Sequence, residues 1–218
     1  MRSSMKSKLR SAGFTMIEVI IAFGVLTAAI VGPVALVAFS FERAQSSQNK
    51  LIATNLGQEG IEIVRAIREN NVICDILSSP PPIPWNANPN GGAKLGAGSN
   101  NHFLVEAGNQ TPVAAACGTF DTPRPTPIAA CDISTPPWVN PPLNLNASGI
   151  YTYGQGAPTL FRRCVTICVP SSSPPCNGAA DADVSNAGDQ MEIISKVFWT
   201  EQRRNRSIQF RERLYNWR

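Results

Sequence analysis

The chain has 218 residues, room for one ordinary domain plus appendages, and only 16% are charged where about a quarter is usual for a soluble domain. Its net charge of +4 is local: Arg2, Lys6, Lys8 and Arg10 stand in a thirteen-residue acid-free opening, and the remaining 15 basic residues balance 15 acidic ones. The overall basicity is therefore no argument for a nucleic-acid partner. A single histidine, His102, leaves Ser-His-Asp and Cys-His catalysis almost without material, and no phosphate-binding glycine loop or dinucleotide fingerprint occurs. The expectation is a protein that is not an enzyme and needs no cofactor or metal.

From Val19 to Phe41 twenty-three residues pass without a charge. As a helix they cover roughly 35 Å at ~1.5 Å per residue, enough for a ~30 Å hydrocarbon core. A cleaved secretory signal would have a shorter apolar run of ~7–15 residues and then a small-residue cleavage site. The basic opening places the N-terminus in the cytoplasm and the rest of the chain outside. Glu18 sits at the head of this run, between Ile17 and Val19. A carboxylate there costs on the order of 2.5–3.5 kcal/mol on insertion scales, and a plain anchor gains nothing from it. Cleavage between Gly13 and Phe14 would create an α-amino group four residues away, and in an assembly that amine could pair with Glu18 of a neighbour.

The stretch Gly13-Phe14-Thr15-Met16-Ile17-Glu18-Val19-Ile20-Ile21-Ala22 resembles the cleavage and methylation motif of type IV pilins and type II secretion pseudopilins. The resemblance implies a cytoplasmic leader, 1–13, cut off by a prepilin peptidase after Gly13. It also implies methylation of the Phe14 amine and an assembly role for Glu18. The implied partners are that peptidase, other pilin or pseudopilin subunits and membrane lipid. The implied function is a structural or minor subunit of a type IV pilus-like filament at the cell surface or in the periplasm. Three alternatives stand beside it: a type II secretion pseudopilin, a DNA-uptake (competence) pseudopilin, and a single-pass membrane ectodomain without a filament role.

Gly24, Gly32 and Pro33 interrupt the membrane and assembly helix (14–41), as a kink or as a place that loosens on assembly. From 42 to 71 the composition turns mixed, with Ile52, Leu56, Ile63 and Ile67 at helical spacing and Gly60 filling the gap in the stripe. This amphipathic stalk should bury its apolar face on a sheet, carry a Glu62–Arg65 surface pair and stop at Asn70-Asn71. A helix from Phe14 to Asn70 would be ~85 Å long.

The head is expected over 72–218. Residues 75–150 read mostly as loop, broken by Pro80-Pro81-Pro82, Pro136-Pro137 and similar runs, with one short strand near His102–Glu106 and His102 at the surface or a strand edge. Strand composition returns at Thr159–Val169. The clearest hairpin is Met191–Glu201 with Ser207–Tyr215, joined by a turn over Gln202–Arg206, with Ile193, Ser195, Val197 and Trp199 on one face. The predicted fold class is α+β and pilin-like: a long N-terminal transmembrane and stalk helix on a small C-terminal antiparallel sheet, with an irregular Pro/Gly-rich region between them.

Six cysteines, Cys74, Cys117, Cys131, Cys164, Cys168 and Cys176, all follow the apolar run and share one oxidising compartment, which favours disulfides over free thiols or metal. Cys117 and Cys131 could staple a loop. Cys164 and Cys168 would share a strand face ~13 Å apart, too far to bond to each other, so each needs a partner elsewhere, Cys176 among the candidates. Asp181 and Asp183 make an incomplete calcium ligand set. Arg203, Arg204, Arg206, Arg211, Arg213 and Arg218 form a basic cluster that could touch DNA, although solvated, edge-protecting charge is the simpler reading.

Overall fold

The computed structural model describes residues 13–77, 83–87, 94–96, 102–106, 126–128, 131, 140–169 and 189–216. The leader up to residue 12, Cys117, Cys176, Asp181, Asp183, Arg218 and most of the proline runs lie outside the described residues. One helix, α1 (Met16–Leu77), is followed by β1 (His102–Leu104), β2 (Thr126–Ile128), β3 (Asn144–Leu145) and β4 (Tyr151–Thr152). Then come β5 (Ala157–Pro158), β6 (Arg162–Cys168), β7 (Gln190–Glu201) and β8 (Arg204–Tyr215). The class is α+β, with all strand pairs antiparallel: a five-stranded sheet in the order β2-β1-β6-β7-β8 and a three-stranded sheet β4-β3-β5. By internal contacts the chain divides into two units, Met1–Gln48 and Asn49–Arg218.

In the first unit every large apolar side chain from Phe14 to Phe41 is exposed. The helix runs through Gly24, Gly32 and Pro33 without a break in assignment, so the expected interruption is not seen as a gap. Its hydroxyls are satisfied within the helix: Thr27 Oγ1 donates to the carbonyls of Phe23 (2.9 Å) and Gly24 (3.0 Å), and Ser40 Oγ to that of Leu36 (2.8 Å). A hydrocarbon environment would require such bonds, because no water would be there to take a leftover donor. The segment is long and apolar enough to cross a membrane.

In the second unit α1 buries Ala53, Leu56, Gly57, Gly60, Ile61, Val64, Ile67, Arg68, Asn71 and Cys74, a stripe at three- and four-residue spacing. Two glycines set how closely the sheet approaches. A Cβ on Gly57 would stand 2.5 Å from the Phe210 ring, and one on Gly60 would stand 2.5 Å from Ser195 Oγ. Gly60 is thus a contact surface and not a gap in the stripe. The hairpin β7–β8 pairs all twelve residues of each strand, and Met191, Ile193, Val197 and Trp199 enter the cores built on the helix. Ile193, Ser195, Val197 and Trp199 share a face as expected, and the opposite face is buried as well, through Glu192, Ile194 and Phe198.

Two expectations need correction. The helix does not stop at Asn70-Asn71 but continues to Leu77. Asn71 is buried, and its amide donates to the carbonyls of Trp85 (3.2 Å) and Ala87 (3.0 Å), so it docks a following loop instead of ending a helix. The hairpin turn is not five residues: Glu201 pairs with Arg204, leaving Gln202 and Arg203 as a two-residue turn, both at positive φ (47° and 62°). The region 75–150 has the expected short strand at β1 and two further short strands that the sequence did not mark. It contributes β2 and β3, and β3 turns into β4 through Asn146, whose side-chain oxygen accepts from the amides of Ser148 (3.0 Å) and Ile150 (2.9 Å).

Candidate functional site

The residues singled out by sequence fall into three separate places. The first is the start of α1. Gly13, Phe14 and Thr15 are exposed and precede the helix, so the Gly13–Phe14 peptide lies in non-helical chain. Thr15 is the cap: its Oγ1 accepts from the Glu18 amide at 3.3 Å, and its carbonyl accepts from the amides of Glu18 (3.1 Å) and Val19 (3.2 Å). Thr15-Met16-Ile17-Glu18 has the spacing of a capping box, and Glu18 is the acidic residue of the first turn. Sequence reasoning had this signal available and missed it. Phe14, Glu18, Ala22 and Leu26, four apart, line one shallow groove with Val19 and Phe23. The carboxylate thus lies in an apolar stripe on the exposed surface of the helix.

The second place is the face of the large sheet carrying Cys164, Thr166 and Cys168. Cys164 and Cys168 are both fully buried, and each is disulfide-bonded to a partner other than its strand neighbour, as their spacing requires. The partner of Cys164 is Cys131, at a Cα–Cα distance of 5.8 Å. This replaces the expected Cys117–Cys131 staple: Cys131 is drawn to the sheet, where its sulfur lies 3.4 Å from Thr166 Oγ1. His102 Nδ1 is 2.8 Å from the same hydroxyl. Its strand β1 lies between β2 and β6, so of the two expected places, surface or strand edge, His102 is not on an edge strand but is half-exposed. Burial holds the imidazole below its ordinary pKa. The ligand-capable atoms of His102, Cys131 and Cys164 lie within 4.8 Å of one another. With the two sulfurs bonded to each other, however, the group offers no thiolate to a metal.

The third place is the arginine hairpin, whose basic residues do not form one surface. Strand alternation puts Arg204 and Arg206 on the face that carries Ile208 and Phe210, and Arg211 and Arg213 on the opposite face. Two already meet acids: Arg206 Nε lies 3.7 Å from Glu201, and Arg211 Nη1 lies 3.1 Å from the buried Glu192. A stripe for tracking a DNA backbone would need these charges side by side.

One basic residue not singled out by sequence is the most buried of all. Arg163 is fully enclosed. Its Nη1 donates to the Leu56 carbonyl (3.0 Å) and lies 3.0 Å from the Glu59 carboxylate, and its Nη2 donates to the Val105 carbonyl. Tyr153 OH donates to the Arg163 carbonyl at 2.7 Å, and burial pushes that phenol up to about 12. The guanidinium ties α1 to the large sheet and to the chain leaving β1, a structural role for a charge that would otherwise be costly to bury.

Comparison with known proteins found no matching family model, no matching curated protein and no matching solved structure.

Proposed function

We propose that the chain is the precursor of a structural or minor subunit of a type IV pilus-like filament, cut after Gly13 and carrying no catalytic activity. Glu18 carries the reading. It is the one acid between Phe14 and Phe41, where every large apolar side chain is exposed, four residues from the amine that cleavage would create. In hydrocarbon a carboxylate requires a counter-charge, and an α-amino group of a neighbouring copy would supply one. The non-helical Gly13–Phe14 bond supports processing, since a peptidase would not have to unwind α1 to reach it.

A second reading is favoured by one specific observation. Glu18 stands in the first turn of α1, where a carboxylate meets the positive end of the helix dipole, a local role that a plain membrane-anchored ectodomain would share.

Two measurements separate the readings. Protein purified from membranes containing a prepilin peptidase is expected to begin at methylated Phe14 by intact mass and N-terminal sequencing. A chain still beginning at Met1, where a known prepilin is cut, would sink the proposal. Glu18→Gln keeps the capping-box chemistry but removes the charge. Loss of filament incorporation in Glu18→Gln, with processing intact, favours the intersubunit ion pair. Normal incorporation would show that assembly needs no ion pair at Glu18.

A further inference from the structure

Strand register puts His102 directly opposite Thr166, and Cys164 stands two residues before Thr166 on β6, so all three share one face of the large sheet. The opposite face carries Val165 and Ile167 into the core built on α1. His102 and Cys164 are diagonal cross-strand neighbours, roughly 7–8 Å apart at the backbone, a span that two side chains can close. Cys131 reaches the same spot from outside any strand, with its Cα 5.8 Å from that of Cys164. The result is an imidazole nitrogen and two sulfurs within 4.8 Å of one another. Thr166 Oγ1 sits between two of these groups, 2.8 Å from His102 Nδ1 and 3.4 Å from Cys131 Sγ. Cys164 is fully buried while His102 and Cys131 are half-exposed, so the cluster opens to solvent on one side.

The disulfide accounts for the two sulfurs and not for the imidazole set against them. Every disulfide is preceded by two thiols, and in a reducing compartment Cys131 and Cys164 stay in that state. We propose that in the thiol state His102, Cys131 and Cys164 bind a zinc ion, and that closing the disulfide expels it. Two thiolates and an imidazole suit zinc, whereas calcium and magnesium want a set of oxygens. Zinc–sulfur bonds of ~2.3 Å and zinc–nitrogen bonds of ~2.0–2.1 Å need ligand atoms about 4 Å apart or less. His102 and Cys164 are fixed on paired strands, so Cys131 is the ligand that adjusts. Burial favours the neutral imidazole, which is the form that ligates. The Thr166 hydroxyl orients two of the ligands from outside the coordination sphere, and water takes the fourth position.

Loading releases one proton from each thiol. Oxidation by a small-molecule disulfide passes two electrons from the two thiolates to it. The Cys131–Cys164 bond forms, zinc leaves, and the oxidant takes up two protons and departs as two thiols. The site lies wholly within the unit from Asn49 to Arg218 and rests on neither the membrane nor the filament reading.

The test uses the full chain in detergent, reduced with dithiothreitol, freed of it under nitrogen and titrated with cobalt(II) as a spectroscopic stand-in for zinc. The reduced chain is expected to take one cobalt ion, with thiolate-to-metal charge transfer in the near ultraviolet and the intense visible bands of a tetrahedral ion. Zinc should displace it, and glutathione disulfide should release the zinc to a fluorescent chelator. The oxidised chain should show neither band. Thr166→Val should weaken binding about 10–100-fold, as loss of an outer-sphere hydrogen bond does, and His102→Gln should weaken it further. Cys131→Ser, which keeps the other five cysteines, should abolish the charge-transfer band. No cobalt–thiolate absorption from the reduced chain would overturn the inference. Equal absorption and affinity in Cys131→Ser or His102→Gln would also overturn it, by placing the ion on other cysteines. Unfolding on reduction that zinc fails to reverse, followed by near-ultraviolet circular dichroism, would overturn it too, because metal binding to such a site contributes to folding.

Discussion

Arg163 and His102 show how far a residue's chemistry depends on what folds against it. In sequence Arg163 is one of two arginines inside a strand-like run, and alternation alone does not say which is enclosed. The register of β6 against β7 turns Arg163 inward, where Gly60 leaves room for its side chain and the helix carbonyl of Leu56 receives it. His102 was legible as a lone titratable group but not as a half-buried one. Burial favours its neutral form, so the folded state binds a proton less readily than the unfolded chain. Unfolding then takes up protons, and stability rises with pH through this group. The contribution is fully present above the ordinary histidine pKa of 6.5 and is lost as the pH falls below it. Urea titrations at successive pH values should show a midpoint that drops on acidification, with a smaller drop in His102→Asn. An identical pH dependence in the variant would show that another group is responsible.

At the scale of elements, composition marks the long elements and misses the short ones. The twelve-residue strands β7 and β8 carry enough alternation to be placed from sequence, as does the helical stripe from Leu56 to Ile67. The two-residue strands β3, β4 and β5 cannot carry a period and exist only through their mutual pairing and the Asn146 turn. The hairpin turn lacks the Asn-Gly signal that a two-residue loop favours, so five polar residues read as one long turn. Once Glu201 and Arg204 pair, Gln202 and Arg203 must adopt positive φ regardless of their preference. Gln202→Asn with Arg203→Gly should therefore stabilise the protein by about 1 kcal/mol, seen as a higher urea midpoint at unchanged slope. A lower midpoint would mean that the native side chains make contacts worth more than the relief of strain.

For the molecule as a whole, the large sheet is packed on one face by α1 and carries disulfides on the other. Cys131 and Cys164 are 33 residues apart in sequence, so their bond constrains a long loop of the unfolded chain. Cys131→Ser with Cys164→Ser is expected to cost about 3 kcal/mol in denaturant unfolding. Reducing agent acting on the unaltered protein should cost at least as much, because it also opens the disulfide of Cys168. A loss near zero would mean that packing alone holds residue 131 on the sheet.

The sequence by itself determined the apolar run and the out-of-place acid at its start, because both are statements about consecutive residues and the cost of moving them into hydrocarbon. It also determined the amphipathic face of the helix and the long hairpin, because each repeats its period often enough to be read. It determined that Cys164 and Cys168 could not bond to each other, because strand rise fixes their separation. Only the tertiary structure decided that Cys131 is the partner of Cys164, that Arg163 rather than Arg162 is enclosed, and that the hairpin arginines divide between two faces. Each of these depends on strand register and on contacts between segments far apart in the chain, and neither is encoded in any local run of residues.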